Sequence, residues 1–129
     1  MNRLNTNGKI AFPAILALSL IANFSLAQEA TKVDSAHYKV EFENDQVRVI
    51  RINYGAHEKS IMHEHTPGAL VFITDGEGRF TYPDVKTEES NWNAGEVGWS
   101  FGEKHLPENL SDEPYELILV EIRDKQPEK

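Results

Sequence analysis

The chain has 129 residues, with 21 acidic against 13 basic side chains, a formal net charge of −8 and no cysteine. The acid excess leaves no basic surface for a phosphate backbone, which excludes a nucleic-acid binder. The absence of cysteine excludes disulfides, thiolate metal sites and a cysteine nucleophile.

The N-terminus carries Arg3 and Lys9 and no acid, and Ile10 to Ala27 is almost wholly apolar or small. Ser25-Leu26-Ala27 places small residues where a signal peptidase cuts, so residues 1–27 are expected to be a secretory signal peptide. The strong apolar core, Ala14 to Ala22, is too short for the roughly 20 residues of a membrane span, and no stable membrane anchor is expected. Cleavage after Ala27 leaves 102 residues at net charge −10, because the leader holds two bases and no acid. The expected location is therefore exported, periplasmic or secreted.

Residues 28–36 are small and polar and are expected to form a linker; 37–125 should be the folded domain and 126–129 a tail. From His37 onward the pattern is strand after strand. Tyr38, Val40 and Phe42 alternate with Lys39, Glu41 and Glu43, the period-two signature of a half-buried strand. Val47 and Val49 share one phase and Ile50, Ile52 and Tyr54 the other, which suggests a bulge or a strand buried on both faces. Ile61, His63 and His65 alternate in a further strand. Ala69 to Ile73 is continuously apolar, so both its faces should be covered. Asp75-Gly76-Glu77-Gly78 signals a hairpin, with Arg79 to Tyr82 returning. Lys86 to Trp92 is a polar, edge-like strand. Val97 to Phe101 is a short strand, Gly102 to Pro107 a loop, and Tyr115 to Ile122 a closing strand. Strands at this spacing, without a long amphipathic helix, predict an all-β antiparallel sandwich or barrel.

Chemistry concentrates in the histidines. On a strand, His63 and His65 point to one face about 6.5 Å apart along the chain, so their rings can converge on one ion. They share that face with Ile61, which argues for the inside of the barrel. Buried imidazoles without a ligand would leave ring nitrogens unpaired, at a cost of roughly 1–3 kcal/mol each. The alternative is two partly exposed histidines near a strand end.

The wider pattern adds to this. Gly55, His63-x-His65 and Gly76 resemble the first motif of the cupin superfamily. Gly95, Gly102-Glu103-Lys104-His105 and Asn109 resemble the second. The resemblance covers about residues 38–123 and implies a small single-domain cupin, a double-stranded β-helix. It also implies a divalent metal held by His63, His65 and His105. The glutamate that usually completes the set would fall at Ala69 or Leu70, and neither can bind metal. What remains is a three-histidine site, which the resemblance associates with some thiol dioxygenase-like cupins, or a degraded site.

Nitrogen ligands suit Fe, Cu, Zn or Ni better than Mg or Ca, and three protein ligands leave positions open for water or substrate. His57 is a candidate fourth ligand, although its stretch reads as a solvated loop. Glu64 should face outward, and Arg79 should face solvent, with anchoring of a substrate carboxylate in the barrel as the alternative. Trp99 and Phe101 should pack in the core, with walling of a substrate cavity as the alternative. Asn109 should fix its loop by local hydrogen bonds. Where Val85 follows Pro83-Asp84 the resemblance implies a glycine, and the β-branched Val85 puts the tightness of that turn in doubt, because such a residue resists positive φ.

The expected function is an exported metal-dependent cupin, a dioxygenase-type oxidoreductase acting on a small organic molecule. The alternative is a non-catalytic small-molecule-binding module. A homodimer is allowed for, with Tyr38 to Phe42 as the strand best suited to pair between copies.

Overall fold

A computed structural model describes residues 28–123; the expected signal peptide 1–27 and the tail 126–129 lie outside the described residues. The described residues form one helical turn, α1 (Ala30–Val33), and nine strands. These are β1 (Tyr38–Glu43), β2 (Val47–Tyr54), β3 (His63–Glu64), β4 (Gly68–Phe72), β5 (Gly76–Thr81), β6 (Thr87–Trp92), β7 (Val97–Ser100), β8 (Lys104–Asn109) and β9 (Tyr115–Ile122). Two antiparallel sheets result, ordered β1-β2-β9-β4-β7 and β3-β8-β5-β6. The fold is thus the all-β sandwich expected from the strand pattern.

The core follows from alternation on the two central strands. Ile50, Ile52 and Tyr54 of β2 and Tyr115, Leu117 and Leu119 of β9 are buried on one face. Each fully buried Ile or Leu contributes roughly 1.5–3 kcal/mol. Tyr38, Trp92 and Ala30 join this cluster, and Leu70, Phe72 and Phe80 pack against it. The same inward phase carries two charged residues: Arg48 on β2 stands opposite Glu121 on β9.

Several local expectations change. Residues 28–36 are not a free linker. Ala30 is buried, Glu29 bridges to Glu64, and the Glu64 N–H donates to the Gln28 carbonyl at 3.0 Å. The segment is too short to show helical periodicity, and its turn is held by the barrel. The bulge lies in β1 between Val40 and Phe42 rather than in β2; β2 runs unbroken along β9 from Val47 to Tyr54. β1 is an edge strand, and Val40 and Phe42, on either side of its bulge, are exposed.

The Asp75–Gly78 segment is not a hairpin, because β4 and β5 belong to different sheets and the chain crosses between them there. Gly76 opens β5 beneath the Trp92 ring, where a Cβ would lie 2.4 Å from a ring carbon. The expected Gly102–Pro107 loop is a strand from Lys104 on, since pairing with β3 and β5 outweighs local propensity. The chain enters it through Gly102 at φ 81°, where a Cβ would approach the His65 carbonyl oxygen to 2.8 Å. Among the described residues no helix is long and apolar enough to cross a membrane.

Candidate metal centre

Register brings the three histidines together. His63 on β3 stands opposite His105 on β8, and His65 follows two residues later with its ring on the same side. The ring centroids are 4.8 Å apart for His63 and His65, 5.2 Å for His63 and His105, and 5.5 Å for His65 and His105. One nitrogen from each ring lies within 4.8 Å of the others. The sequence expectation that Ile61 shares the inner face is incorrect. Ile61 is 51% exposed while His63 is fully buried, because regular strand pairing begins only at His63.

Hydrogen bonds fix the tautomers. His63 Nδ1 lies 2.8 Å from the Ile61 carbonyl oxygen. A carbonyl only accepts, so Nδ1 carries the proton and Nε2 presents its lone pair. That Nε2 lies 3.1 Å from His65 Nε2. Two nitrogens each about 2.0–2.1 Å from one ion, at angles near 90–110°, lie about 3.0–3.4 Å apart.

The far side of His65 faces Glu121, with Nδ1 3.5 Å from the carboxylate. Nδ1 is buried and has no hydrogen-bond partner among the described residues. Without an ion, a neutral His65 can donate from Nε2 to His63 only by turning a bare Nδ1 lone pair toward a carboxylate. With a cation at the three nitrogens, His65 keeps its proton on Nδ1 and offers it to Glu121, the carboxylate–histidine–metal arrangement. The donor set therefore fits a metal ion.

Electrostatics agree. Burial, and then the neighbouring His65, pull His63 down to about 4. Burial, then His65 and His63, pull His105 down to about 3. Both rings are neutral at pH 7 and keep lone pairs for a cation. Burial alone would raise Glu121, but the facing His65 ring and the Arg48 guanidinium hold it below the ordinary carboxylate range. Arg48 Nε donates to Glu121 at 2.8 Å, and Arg48 also pairs with Glu29.

A second set of bonds stands behind His63. Ser60 Oγ lies 3.2 Å from its Nδ1 and donates to Asp34. His37 Nδ1 donates to Asp34 at 2.8 Å, and its Nε2 lies 3.0 Å from Glu58. Both networks end on the segment before β1, in Glu29 and Asp34.

His65 and His105 open onto a cavity of about 560 Å³ between the sheets. Trp99 and Phe101 line it and are 49% and 75% exposed, so they wall its mouth and do not pack in the core as first expected. Their strand, β7, is the edge of its sheet. His57 is turned outward to Asp112 at 2.7 Å and stands outside the three-histidine group. Arg79 faces solvent and pairs with Glu89. Asn109 donates to the Gly55 and Glu113 carbonyls and accepts from the Ser111 N–H, which fixes its loop as expected.

Glu121 was overlooked in the sequence. The signal was present: it continues the inward series Tyr115, Leu117, Leu119 by one more step of two. At the usual glutamate position, Leu70 lines the cavity and Ala69 is half-buried.

The structure is similar to solved cupins. It aligns with a cupin domain from Bordetella pertussis at TM-score 0.62 and 21% identity, covering 67% of this chain and 92% of that one. It aligns with an RmlC-like cupin family protein of double-stranded β-helix fold from Methanocaldococcus jannaschii at TM-score 0.53 and 22% identity, covering 70% and 84%. A double-stranded β-helix protein from Klebsiella pneumoniae aligns at 0.52 and 17%, covering 68% and 84%. No family model matches the sequence, and no curated protein matches it significantly. At these identities the likeness establishes the fold.

Proposed function

We propose that this cupin-fold protein is an exported metalloprotein that holds a divalent transition ion, Fe, Cu, Zn or Ni, through His63, His65 and His105. It acts as a dioxygenase-type oxidoreductase on a small organic molecule in the cavity beside them. The observation that carries the metal reading is the buried, unpartnered Nδ1 of His65 facing Glu121, which an ion at the other nitrogen would resolve. When bound, such an ion polarises an oxygen-bearing group of the substrate or, if redox-active, supplies electrons to O₂. The chain's own residues hold the imidazoles in their ligating tautomers, shield them from water and shape the cavity. Export rests on the leader-like composition of residues 1–27.

A second reading, a non-catalytic small-molecule binder, is favoured by one observation: no carboxylate stands at Ala69 or Leu70. Metal analysis of the purified protein tests the common step. Stoichiometric transition metal, lost in His63→Ala, is expected; an equal metal content in both would overturn the metal reading. Oxygen uptake over thiols, phenolics and diketones then separates the two. Turnover supports the enzyme, and ligand-induced thermal shifts without turnover support the binder.

A further inference from the structure

The cavity beside the histidines has an unusual charge inventory. Nine aromatic side chains line it, and no lysine or arginine does. Its acidic lining residues are Glu88, Glu89 and Glu103, all exposed and therefore at the mouth. Arg79 neutralises Glu89 from outside at 2.8 Å. Glu88 accepts the Tyr82 hydroxyl at 2.9 Å, and Glu103 stands close enough to the same hydroxyl to help hold its proton on, after burial and Glu88. Neither Glu88 nor Glu103 forms an ion pair among the described residues, while Trp99 and Phe101 present exposed rings beside them.

An incoming molecule thus meets two uncompensated carboxylates and aromatic faces, then a largely apolar passage with Phe80 along it, and the histidines at the floor. At the wall and mouth a ligand carboxylate or phosphate would lose its hydration without gaining a cationic partner, which is strongly unfavourable in a poorly solvated cavity; only an ion on the histidine floor would offer it one. A flat ring loses little and gains ring contacts. An ammonium at the mouth gains both the carboxylates and the ring faces.

We infer that, away from its histidine floor, the cavity takes an aromatic molecule carrying no anionic group there, with a preference for one bearing an amine at the mouth, and that Glu88 and Glu103 set this selectivity. The inference deepens the proposed function by naming the substrate class of the same cavity. It depends on the wall and mouth, so it can be tested without the ion.

Three probes of nearly equal size decide it: tryptamine, tryptophol and indole-3-acetate, titrated calorimetrically into chelator-treated protein at neutral pH and low salt. Tryptamine and tryptophol are expected to bind at least tenfold more tightly than indole-3-acetate, with tryptamine the tightest. The E88Q/E103Q double variant should bring tryptamine to the level of tryptophol and leave tryptophol unchanged. Indole-3-acetate binding as tightly as tryptophol would overturn the inference, as would no binding of any probe. Zinc uptake, measured on the same preparation, fails or succeeds independently. Lost zinc with the probe order intact sinks the metal reading alone, and zinc bound with the order absent sinks the cavity inference alone.

Discussion

Arg48 and Glu121 face each other across β2 and β9 on the inner side of the sheet, with Arg48 Nη2 2.6 Å from the carboxylate. The carboxylate's other oxygen faces His65. One buried acid is thereby shared between an ion pair and an imidazole. Glu121→Gln keeps the volume and removes the charge that attracts the His65 Nδ1 proton. It should weaken metal binding roughly 10–100-fold, as loss of such a carboxylate does elsewhere. Competition with a chromogenic chelator measures this, and unchanged affinity would show that Glu121 does not act through His65. Arg48→Ala should be worse for the fold, since it strands a buried carboxylate at a cost of about 3–5 kcal/mol. Denaturant midpoints compare the two variants.

Asp34 holds both Ser60 and His37, and Ser60 in turn meets His63. Ser60→Ala removes the link to His63 but leaves the stronger bond from His63 Nδ1 to the Ile61 carbonyl. The expected loss in metal affinity is therefore smaller than for Glu121→Gln, about tenfold or less. A larger loss would mean that Ser60, not the carbonyl, fixes the His63 ring.

The stability of the metal-free protein should fall in acid. His63 and His105 are depressed to about 4 and about 3 in the folded state, from about 6.5 unfolded. Between those values the unfolded chain binds more protons. The contribution is fully present above about pH 6.5 and is lost as pH falls through the folded values. Each group adds up to about 1.4 kcal/mol per pH unit in that window. Denaturant unfolding from pH 7 to 4 should show the slope, and His105→Gln should flatten it. An equal slope in the variant would remove His105 as a cause.

Val85 sits at φ 63° in the turn between β5 and β6, with its N–H donating to the Tyr82 carbonyl at 2.9 Å. A left-handed β-branched residue costs roughly 1–2 kcal/mol, partly offset in a glycine variant by greater freedom of the unfolded chain. Because Val85 is 83% exposed, Val85→Gly sacrifices little packing. It should stabilise by about 0.5–1 kcal/mol and raise Tm by a few degrees. A lower Tm would show that the turn is not strained.

Strand phase made much of this molecule legible: it shows which residues share a face. It does not show where along a strand that face stops being covered. Val40 is in phase with buried Tyr38 yet exposed, because its strand is at the sheet edge, and the bulge after it pairs Phe42 with Val49 and turns it to the other face. Trp99 and Phe101 have the composition of core residues but lie on or just beyond the opposite edge strand. Which strand is an edge depends on the order β1-β2-β9-β4-β7, a non-local property. The histidines were legible because three polar rings in strand spacing have few ways to be satisfied inside. Glu121 was equally in phase, but without the pairing register its partners Arg48 and His65, distant in sequence, were not visible. The 28–36 segment carries no periodic signal, and its place is set by contacts with the barrel from Gln28, Glu29 and Asp34.

That segment has a practical consequence. Glu29 and Asp34 hold the two networks that end on His65 and His63, so docking of the N-terminal approach would be thermodynamically linked to binding of an ion by the histidines. By reciprocity, an ion that tightens the histidines also tightens residues 28–36 against proteolysis, and a tag or truncation that frees them lowers ion affinity by the same factor. Preparations of this protein that differ only ahead of the first strand are therefore expected to differ in metal content.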